Sequence, residues 1–481
     1  MMFRQRVSRF ARRRQHAAAL LLLLAVSGGS AAQDFKLPHP QPQLPGSLVT
    51  SDPSGMLQTS TPSGRIDHTN PFFKSLGSNG RSCDSCHRQA EGWGISAAEI
   101  QQRFSATNGL DPIFALVDGA DSPQADVSTF AAREKAFSML LSRGVIRVGL
   151  PMPANAEFTL TAVDDPYGYA SAAQLSLFRR PLPATNLIWV TGVMWDGRET
   201  FAPFKPPMDE GLDREDMRSS LASQALHAIL GHEQATATPD QATLDAIVQF
   251  ESHLTTAQLS DRRAGMLDDA GGMGGANILA QQRFWLGIND PLGNDPTLEP
   301  FDPKVMRLFD NWSASNVQFG TGAQARAAIA RGEALFNSMK IEISGVAGLN
   351  DATGQPVIQG TCSTCHNAPN IGNHSVGAPL NIGISDASRR TPDMPLYTLR
   401  NNSTGQTVQT TDPGLALLTG KWADIGKFKG PNLRGLASRA PYFHNGSAAT
   451  LSDVVNFYNT RFNIGMTDQQ KSDLAAFLSA L

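Results

Sequence analysis

The hydrophobic pattern of the chain is clearest at its carboxy-terminal end. An apolar residue recurs there at the spacing of one helical face, at Leu474, Phe477, Leu478 and Leu481. Thr467 and Gln470 stand just before this stripe with the spacing of a capping box, which predicts the start of a helix. Similar patterns predict helices over residues 323–336 and from Thr450 onward.

Outside these helices the chain is rich in residues that interrupt regular structure. Its 43 glycines and 30 prolines indicate long loops around short helices. Residues 143–151 carry a strand-like pattern, within a stretch over residues 106–165 that we interpret as an insertion. The pattern predicts a mostly α fold with long loops.

The amino-terminal residues 1–32 have the three parts of a secretory signal peptide. Six arginines precede an apolar run over residues 17–26, and Ser30, Ala31 and Ala32 supply small residues for cleavage before Gln33. The run is too short to span a bilayer, so no membrane span is expected. We predict export to the periplasm, followed by a Pro/Ser-rich leader over residues 33–64.

Removal of the signal peptide makes the chain more acidic. Its six arginines leave 34 basic residues against 43 acidic ones, a formal balance of −9 in place of −3. This charge argues against a nucleic-acid-binding surface.

All four cysteines belong to two copies of the motif Cys-x-x-Cys-His. The copies are Cys83, Cys86 and His87, and Cys362, Cys365 and His366. This motif is typical of c-type haem attachment, in which the thiols form thioethers and the histidine ligates the iron. Zinc would require the two pairs to converge in one compact module, and a redox dithiol has no need of the following histidine. Two covalently bound c-type haems are therefore predicted.

The haem motifs and the helix pattern together suggest the organisation of the chain. A helix before a haem motif and another at the terminus are typical of a small cytochrome c domain. We predict a mostly α fold with two cytochrome c-like haem domains, an amino-terminal one over residues 65–319 with an inserted region around its haem, and a carboxy-terminal one over residues 320–481.

Several further blocks resemble the bacterial dihaem cytochrome c peroxidase and MauG family. The strongest is Phe-Lys-Gly-Pro-Asn-Leu-Arg at residues 428–434, followed by Ala-Pro-Tyr-Phe-His-Asn-Gly-Ser at residues 440–447. Met-Trp-Asp-Gly-Arg at residues 194–198 and Gln-Ala-Leu at residues 224–226 are similar to two other family blocks. Their order along the chain is the family order.

The resemblance implies a division of labour between the haems. The haem on His87 would react with hydrogen peroxide, and the haem on His366 would receive electrons from a small donor protein, a cytochrome c or a cupredoxin. Trp195 would relay electrons between the haems, and Glu233 would be the acid/base group. Calcium between the domains and a homodimer are further possibilities, although Arg180 and Arg439 replace the usual residues of the calcium region.

Two departures from the family pattern concern the iron ligands. No histidine lies between His87 and His227, so the usual sixth ligand of the first haem is missing and that haem is expected to be open. Tyr458 stands where the peroxidases have a methionine that ligates the second haem, as in MauG-like proteins, and Met466 is the competing candidate. A tyrosinate stabilises oxidised iron more than a thioether does.

Three functions remain open from the sequence. The first is a cytochrome c peroxidase that reduces hydrogen peroxide, with electrons passing from the carboxy-terminal to the amino-terminal haem. The second is a MauG-like enzyme that oxidises a protein or another large substrate. The third is a dihaem electron-transfer cytochrome without catalysis.

Overall fold

The computed structural model describes residues 48–200, 215–313 and 321–481, all within one compact unit. The predicted signal peptide and residues 33–47 of the predicted leader lie outside the described residues. Residues 49–60, at the end of the predicted leader, form two paired strands. Within the described residues no helix combines the length and the apolar character that a bilayer crossing would need.

Short helices recur along the described chain. They are α1 (Ala97–Thr107), α2 (Phe130–Ala136), α3 (Ser138–Arg143), α4 (Glu215–Gly231), α5 (Gln241–Ser252), α6 (Ala276–Leu279), α7 (Thr321–Ser338), α8 (Asn350–Thr353), α9 (Ala416–Thr419), α10 (Leu451–Arg461) and α11 (Asp468–Ser479). The helices expected at residues 323–336, after Thr450 and after Thr467 correspond to α7, α10 and α11. Capping boxes open both α10 and α11, as the sequence predicted.

Strands alternate with these helices more often than the sequence suggested. They are β1 (Val49–Ser51), β2 (Gly55–Ser60), β3 (Ile146–Leu150), β4 (Phe158–Asp164), β5 (Leu175–Arg179), β6 (Thr255–Asp261), β7 (Gly265–Met266), β8 (Ile341–Ser344), β9 (Val357–Gly360), β10 (Leu396–Asn401) and β11 (Thr407–Thr410). The prediction of a mostly α fold is wrong, because the described chain is 32% helix and 16% strand.

The strands form small antiparallel sheets with the orders β1-β2-β6-β7, β11-β10-β4, β3-β5 and β8-β9. All of these strands are shorter than eight residues, and so short an apolar run gives little periodicity from which to predict a strand. Strand β4 comes from the predicted insertion and pairs along its whole length with β10, which lies beyond residue 320.

Helices α7 and α11 pack across each other behind the second haem motif. Ile329 and Phe336 of α7 share a buried cluster with Leu474 and Phe477 of α11, and the rings of Phe336 and Phe477 lie 5.7 Å apart. At Gly332 of α7 a Cβ atom would stand only 2.1 Å from a backbone carbonyl of α11, so the close crossing requires glycine there. This packing matches the crossed helices expected of the second haem domain.

Candidate haem sites

Both Cys-x-x-Cys-His motifs adopt the same local structure. Cys83 and Cys362 each begin a short 3-10 turn, and the turn is closed by a capping box from the preceding Ser82 or Thr361. The turn brings the two thiols of each motif to one side. All four cysteines are free of disulfides, which leaves them available for thioether bonds.

The two motif histidines are oriented in the same way. Nδ1 of His87 lies 3.0 Å from the carbonyl oxygen of Trp93, and Nδ1 of His366 lies 2.6 Å from that of Gly372. A carbonyl only accepts, so each Nδ1 carries the proton and each Nε2 is left free to bind a metal. The local geometry therefore fits an iron ligand at both positions.

The contacts of Trp93 fix the orientation of the His87 ring. This fully buried residue has φ of 57°, a conformation that bulky side chains rarely adopt. Its indole donates a hydrogen bond to Thr59, and its carbonyl also accepts from the backbone of Ala184. The surrounding contacts thus hold the carbonyl that orients His87.

A large cavity adjoins the first motif. It encloses about 1460 Å³ of space free of atoms, open solvent at its mouth included. Cys83, Cys86 and His87 form part of its wall, and apolar side chains cover much of the remainder, among them Phe72, Leu187, Val190, Val193 and Leu221. The lining of the cavity fits a porphyrin attached to this motif.

The charged lining of this cavity supports the same assignment. Its basic members outnumber its acidic ones and are Arg81, Arg179, Arg180, Arg198, Lys429 and Arg439, against Asp118, Glu233 and Glu251. In the part of the chain that the structure describes, no ion pair involves Arg180, Lys429 or Arg439, and burial lowers the pKa of Lys429 to about 8. These three cations could offset the charge of the two propionates of a haem in this cavity.

Arg180 and Arg439 also bear on the predicted calcium. The guanidinium of Arg180 donates to the backbone carbonyls of Ile95, Arg143 and Arg439, and that of Arg439 donates to those of Asn432 and Arg434. Two buried cations therefore already satisfy a group of carbonyls in this region. The arrangement gives no support to calcium binding there.

Trp195 lies between the first cavity and a buried aromatic group. Its side chain lines the cavity, and its Nε1 donates to the carbonyl of Arg180 at 2.8 Å. The imidazole of His444 lies 6.2 Å from the Trp195 ring and stacks on Phe428 at 4.0 Å. The backbones of Phe428 and Leu380 form an isolated antiparallel β-bridge. Leu380 belongs to a buried apolar cluster against which Cys362 and Cys365 pack. A line of ring contacts and one backbone pairing thus runs from the first cavity to the second motif.

Glu233 also lines the first cavity, but its carboxylate is already engaged. One oxygen accepts from the backbone N–H of Leu76 at 2.9 Å, and the other lies 3.8 Å from Sγ of Cys83. Burial raises the pKa of this carboxyl. The structure therefore brings Glu233 to the attachment edge of the site, beside Cys83.

One face of α4 turns toward the same cavity. Leu221, Gln224, Ala228 and His232 recur at helical spacing and all line it. Nδ1 of His232 lies 2.5 Å from Oδ2 of Asp118, and Asp118 forms a buried ion pair with Arg81. Both partners of His232 are in the cavity wall, so the group forms part of the site.

Glu251 is a site residue that sequence reasoning missed. It lines the first cavity, its Oε1 is buried without a hydrogen-bond partner among the described residues, and burial raises its pKa to about 8. A signal was present, because Glu251 follows Leu244, Ile247 and Val248 at the spacing of the apolar face of α5. An acidic residue on such a face indicates a functional or strained position.

The second motif lies among aromatic side chains. Tyr458 of α10 packs near Phe443, Phe457 and Phe462, at ring distances of 5.2 to 6.4 Å. Burial raises the pKa of its phenol, and Cys365 and Cys362 are close enough to raise it further. Met466 is buried with Leu474 and Phe477 in the cluster between α7 and α11. Tyr458 thus lies close to the attachment cysteines, and Met466 has the contacts of a core residue.

The zinc alternative finds no support in the structure. In residues 48–200, 215–313 and 321–481 no group of three or more histidine, cysteine or acidic side chains is arranged to hold a metal ion. Each cysteine pair instead has its own oriented histidine and its own surroundings. The two sites define a c-type protein with two haem attachment positions.

Known proteins were compared with the chain. No family model matches it. Over 189 residues it is 31% identical to the cytochrome-c peroxidase IdrP1 of Denitromonas iodatirespirans, a match that covers 36% of this chain and 44% of the relative. Over 134 residues it is 34% identical to IdrP2 of the same organism, covering 26% and 36% respectively. The matches thus span less than half the length of these relatives.

Two solved structures are similar at low identity. One is a MauG-like protein associated with microbial copper homeostasis, with 17% identity, a TM-score of 0.38 and coverage of 86% of both chains. The other is a variant of the dihaem peroxidase BthA from Burkholderia thailandensis, with 16% identity, a TM-score of 0.29 and coverage of 92% of this chain and 95% of that one. Neither score is high enough to support a structural argument.

These matches agree with the resemblance of the motifs to the bacterial dihaem cytochrome c peroxidase and MauG family. They also agree with the predictions of two c-type haems and of an oxidoreductase. The individual roles of Trp195, Glu233 and Tyr458 stay predictions.

Proposed function

We propose that the chain is a periplasmic cytochrome c peroxidase that reduces hydrogen peroxide to water. The overall reaction joins one peroxide, two electrons and two protons to give two waters. A reduced cytochrome c or cupredoxin supplies the electrons, which enter at the second haem site and pass to the first. The signal-like residues 1–32 support export, although they lie outside the described part of the chain.

The contrast between the two haem sites carries this proposal. The first site has a large cavity lined by polar groups, including His232, Glu233 and Glu251. The second is surrounded by packed aromatic and aliphatic side chains. A reactant needs space and proton-handling groups beside the metal, whereas an electron store benefits from a closed apolar site.

Haem iron, when bound at His87, supplies the redox chemistry that breaks the O–O bond. The residues of the chain orient and charge-balance this site. The carbonyl of Trp93 holds His87 through its Nδ1, and Arg180, Lys429 and Arg439 offset the propionates. Glu233, which the family resemblance assigns as acid/base, lies in the cavity wall beside Cys83.

Trp195 is proposed to carry electrons between the sites. Its indole N–H is fixed by the carbonyl of Arg180, and its ring faces the stacked pair His444 and Phe428. Packed rings shorten the gaps that an electron must cross. The order of residues from the cavity to Leu380 and the second cysteine pair supports this route.

A MauG-like oxidation of a protein or another large substrate is the second candidate. The position of Tyr458 near Cys362 and Cys365 favours it, because an anionic tyrosinate ligand stabilises the more oxidised states of iron. Such a site could hold an oxidising equivalent long enough to act on a bulky partner. Oxidation of that partner would then supply the two electrons that peroxide consumes.

Spectroscopy and turnover together test the proposal. The oxidised protein should show one high-spin and one low-spin haem, and the high-spin signal should change on adding hydrogen peroxide. Steady oxidation of a reduced cytochrome c in the presence of peroxide would support the peroxidase. Reaction with peroxide without oxidation of any small donor would favour the MauG-like alternative. Two low-spin haems indifferent to peroxide would leave only an electron carrier.

A further inference from the structure

We propose that His232, positioned by Asp118 and Arg81, is the group that transfers the proton during peroxide cleavage in the first haem cavity. This inference rests on the proposed function. It assigns to the histidine that directly follows α4 the task that the family resemblance gives to Glu233. Glu233 then has a structural role at the attachment edge.

The first argument is the direction in which the helix faces. Leu221, Gln224, Ala228 and His232 form one stripe along α4 and the residue that follows it, and all four line the cavity. Ala225 and Ile229 belong to the neighbouring stripe and are buried in the apolar cluster that Cys83 packs against, and of these two only Ala225 also lines the cavity. Glu233 continues that second stripe, so its side chain is directed to Cys83.

The second argument is the availability of the two side chains. The Glu233 carboxylate accepts from Leu76 and contacts Cys83, and the residue is only 3% exposed. The imidazole of His232 is 40% exposed, and its Nε2 has no hydrogen-bond partner in the part of the chain that the structure describes. Of these two side chains, that of His232 keeps a ring nitrogen without a partner.

The third argument is the fixed tautomer of His232. Burial opposes ionisation of Asp118, but its hydrogen bond to His232 and the charge of Arg81 lower the pKa of this carboxyl. Asp118 therefore stays ionised and accepts the N–H of Nδ1, which leaves the lone pair on Nε2. The backbone carbonyl of His232 accepts from Asn79 and Arg81, so the main chain is held as well.

The proton transfer keeps atoms and electrons in balance. Nε2 of His232 accepts a proton from the peroxide oxygen that stays at the site and returns it to the other oxygen as the O–O bond breaks. That oxygen leaves as water. The two electrons come from the reduced donor protein by way of the two haem sites, and two further protons from solvent complete the second water. A positioned base of this kind contributes about 10²–10⁴-fold to such a step.

Three variants test the proposal on the intact dihaem protein. His232→Gln removes the base, Asp118→Asn removes the orienting charge, and the double variant tests their connection. The control is His227→Gln, because His227 lies on α4 and also pairs with a carboxylate, that of Glu199, but is 60% exposed and is not in the cavity wall. Absorption spectra confirm that both haems are attached in each variant.

The first readout is the rate constant for the reaction with peroxide. We expect a decrease of about 10²–10⁴-fold in His232→Gln and of about 10–100-fold in Asp118→Asn. The double variant should fall no further than His232→Gln, because Asp118 acts through the histidine. His227→Gln should stay within about twofold of the unmodified protein. A decrease below about threefold in His232→Gln would overturn the proposal.

Cyanide association is the second readout and does not depend on turnover. Hydrogen cyanide must lose its proton to bind iron, so its association rate should also fall in His232→Gln and Asp118→Asn. If the protein does not react with peroxide, the proposed function fails, but the cyanide rates still test His232. A first haem that is low-spin and becomes high-spin in His232→Gln would identify His232 as an iron ligand and contradict its role as a base.

Discussion

The two haem sites attach their cofactor in the same way and differ in what surrounds it. In both, a short turn aligns the cysteines, and a carbonyl six residues after the histidine accepts from its Nδ1. Around the first, charged residues and an open cavity remain. Around the second, α7, α10 and α11 pack apolar and aromatic side chains. Haem attachment thus depends on the residues of each motif. The chemical role of each haem depends on residues that other parts of the chain contribute.

Removing one haem at a time should have the largest effect, because it tests the separate role of each site. Replacing Cys83 and Cys86 by alanine should abolish the reaction with peroxide, because the open cavity loses its cofactor. Replacing Cys362 and Cys365 should leave peroxide binding intact and abolish turnover with a donor. Stopped-flow absorption and donor oxidation distinguish the two. Equal losses of peroxide binding in both variants would contradict the division of roles.

Replacement of Tyr458, the candidate iron ligand of the second site, tests how this site differs from the first. Tyr458→Phe should raise the reduction potential of this haem by on the order of 0.1 V, a part of the ~0.8 V range that axial ligands cover. It should also change the low-spin spectrum. Met466→Leu is the matched control and should change neither quantity, because Met466 packs in the α7–α11 core. The opposite result would make Met466 the ligand.

Trp195 tests whether the two sites communicate through the packed rings. In Trp195→Phe, electron transfer from the second haem to the first should slow by about tenfold, equivalent to roughly 1.4 kcal/mol of barrier. The spectra of the two haems should stay as they are. Phe158→Leu, in a distant apolar cluster, is a control for loss of an aromatic ring. An unchanged transfer rate in Trp195→Phe would exclude the relay.

Glu251 should give the first site a pH dependence. Its folded pKa of about 8 exceeds the ordinary 4.5, so the folded state binds more protons than the unfolded state between these values. Stability should therefore fall as pH rises from about 4.5 to 8. Glu251→Gln should remove this fall and be more stable at pH 8.5 by about 1–3 kcal/mol, as thermal unfolding would measure. A parallel pH dependence in both proteins would contradict this assignment.

Chelation is expected to have the smallest effect. Arg180 and Arg439 already satisfy the carbonyls between the regions that carry the two sites. Treatment with a calcium chelator should therefore leave peroxide turnover and both haem spectra unchanged. The same treatment followed by added calcium serves as the control. A loss that calcium restores would show that a calcium site exists elsewhere in the protein.

The sequence predicted what depends on local spacing. Both haem motifs, the caps at Thr450 and Thr467 and the apolar stripe of α11 are read from neighbours in the chain, and they agree with the structure. The sequence did not predict the number of strands, because β3, β4 and β10 gain their stability from partners far away in the chain. A mixed fold was missed for this reason.

Site residues divide in the same way. The family resemblance implied Glu233 as a site residue, and the structure brings it to the first cavity. The contact between His232 and Asp118 joins residues 114 positions apart, and no local pattern indicates it. Glu251 could have been found, because a carboxylate on the apolar face of α5 is visible in the sequence. The sequence could not predict that its Oε1 has no hydrogen-bond partner among the described residues, because this depends on the packing around it.

The pairing of β4 with β10 has a consequence for how such proteins can be recombined. Each strand comes from a different half of the gene, yet their backbones form one ladder from Phe158 to Asp164. A hybrid assembled from two relatives with a junction near residue 320 would pair strands that never coexisted, and a fragment starting there would expose the edge of β10 to aggregation. Viable chimaeras should inherit both strands from a single parent.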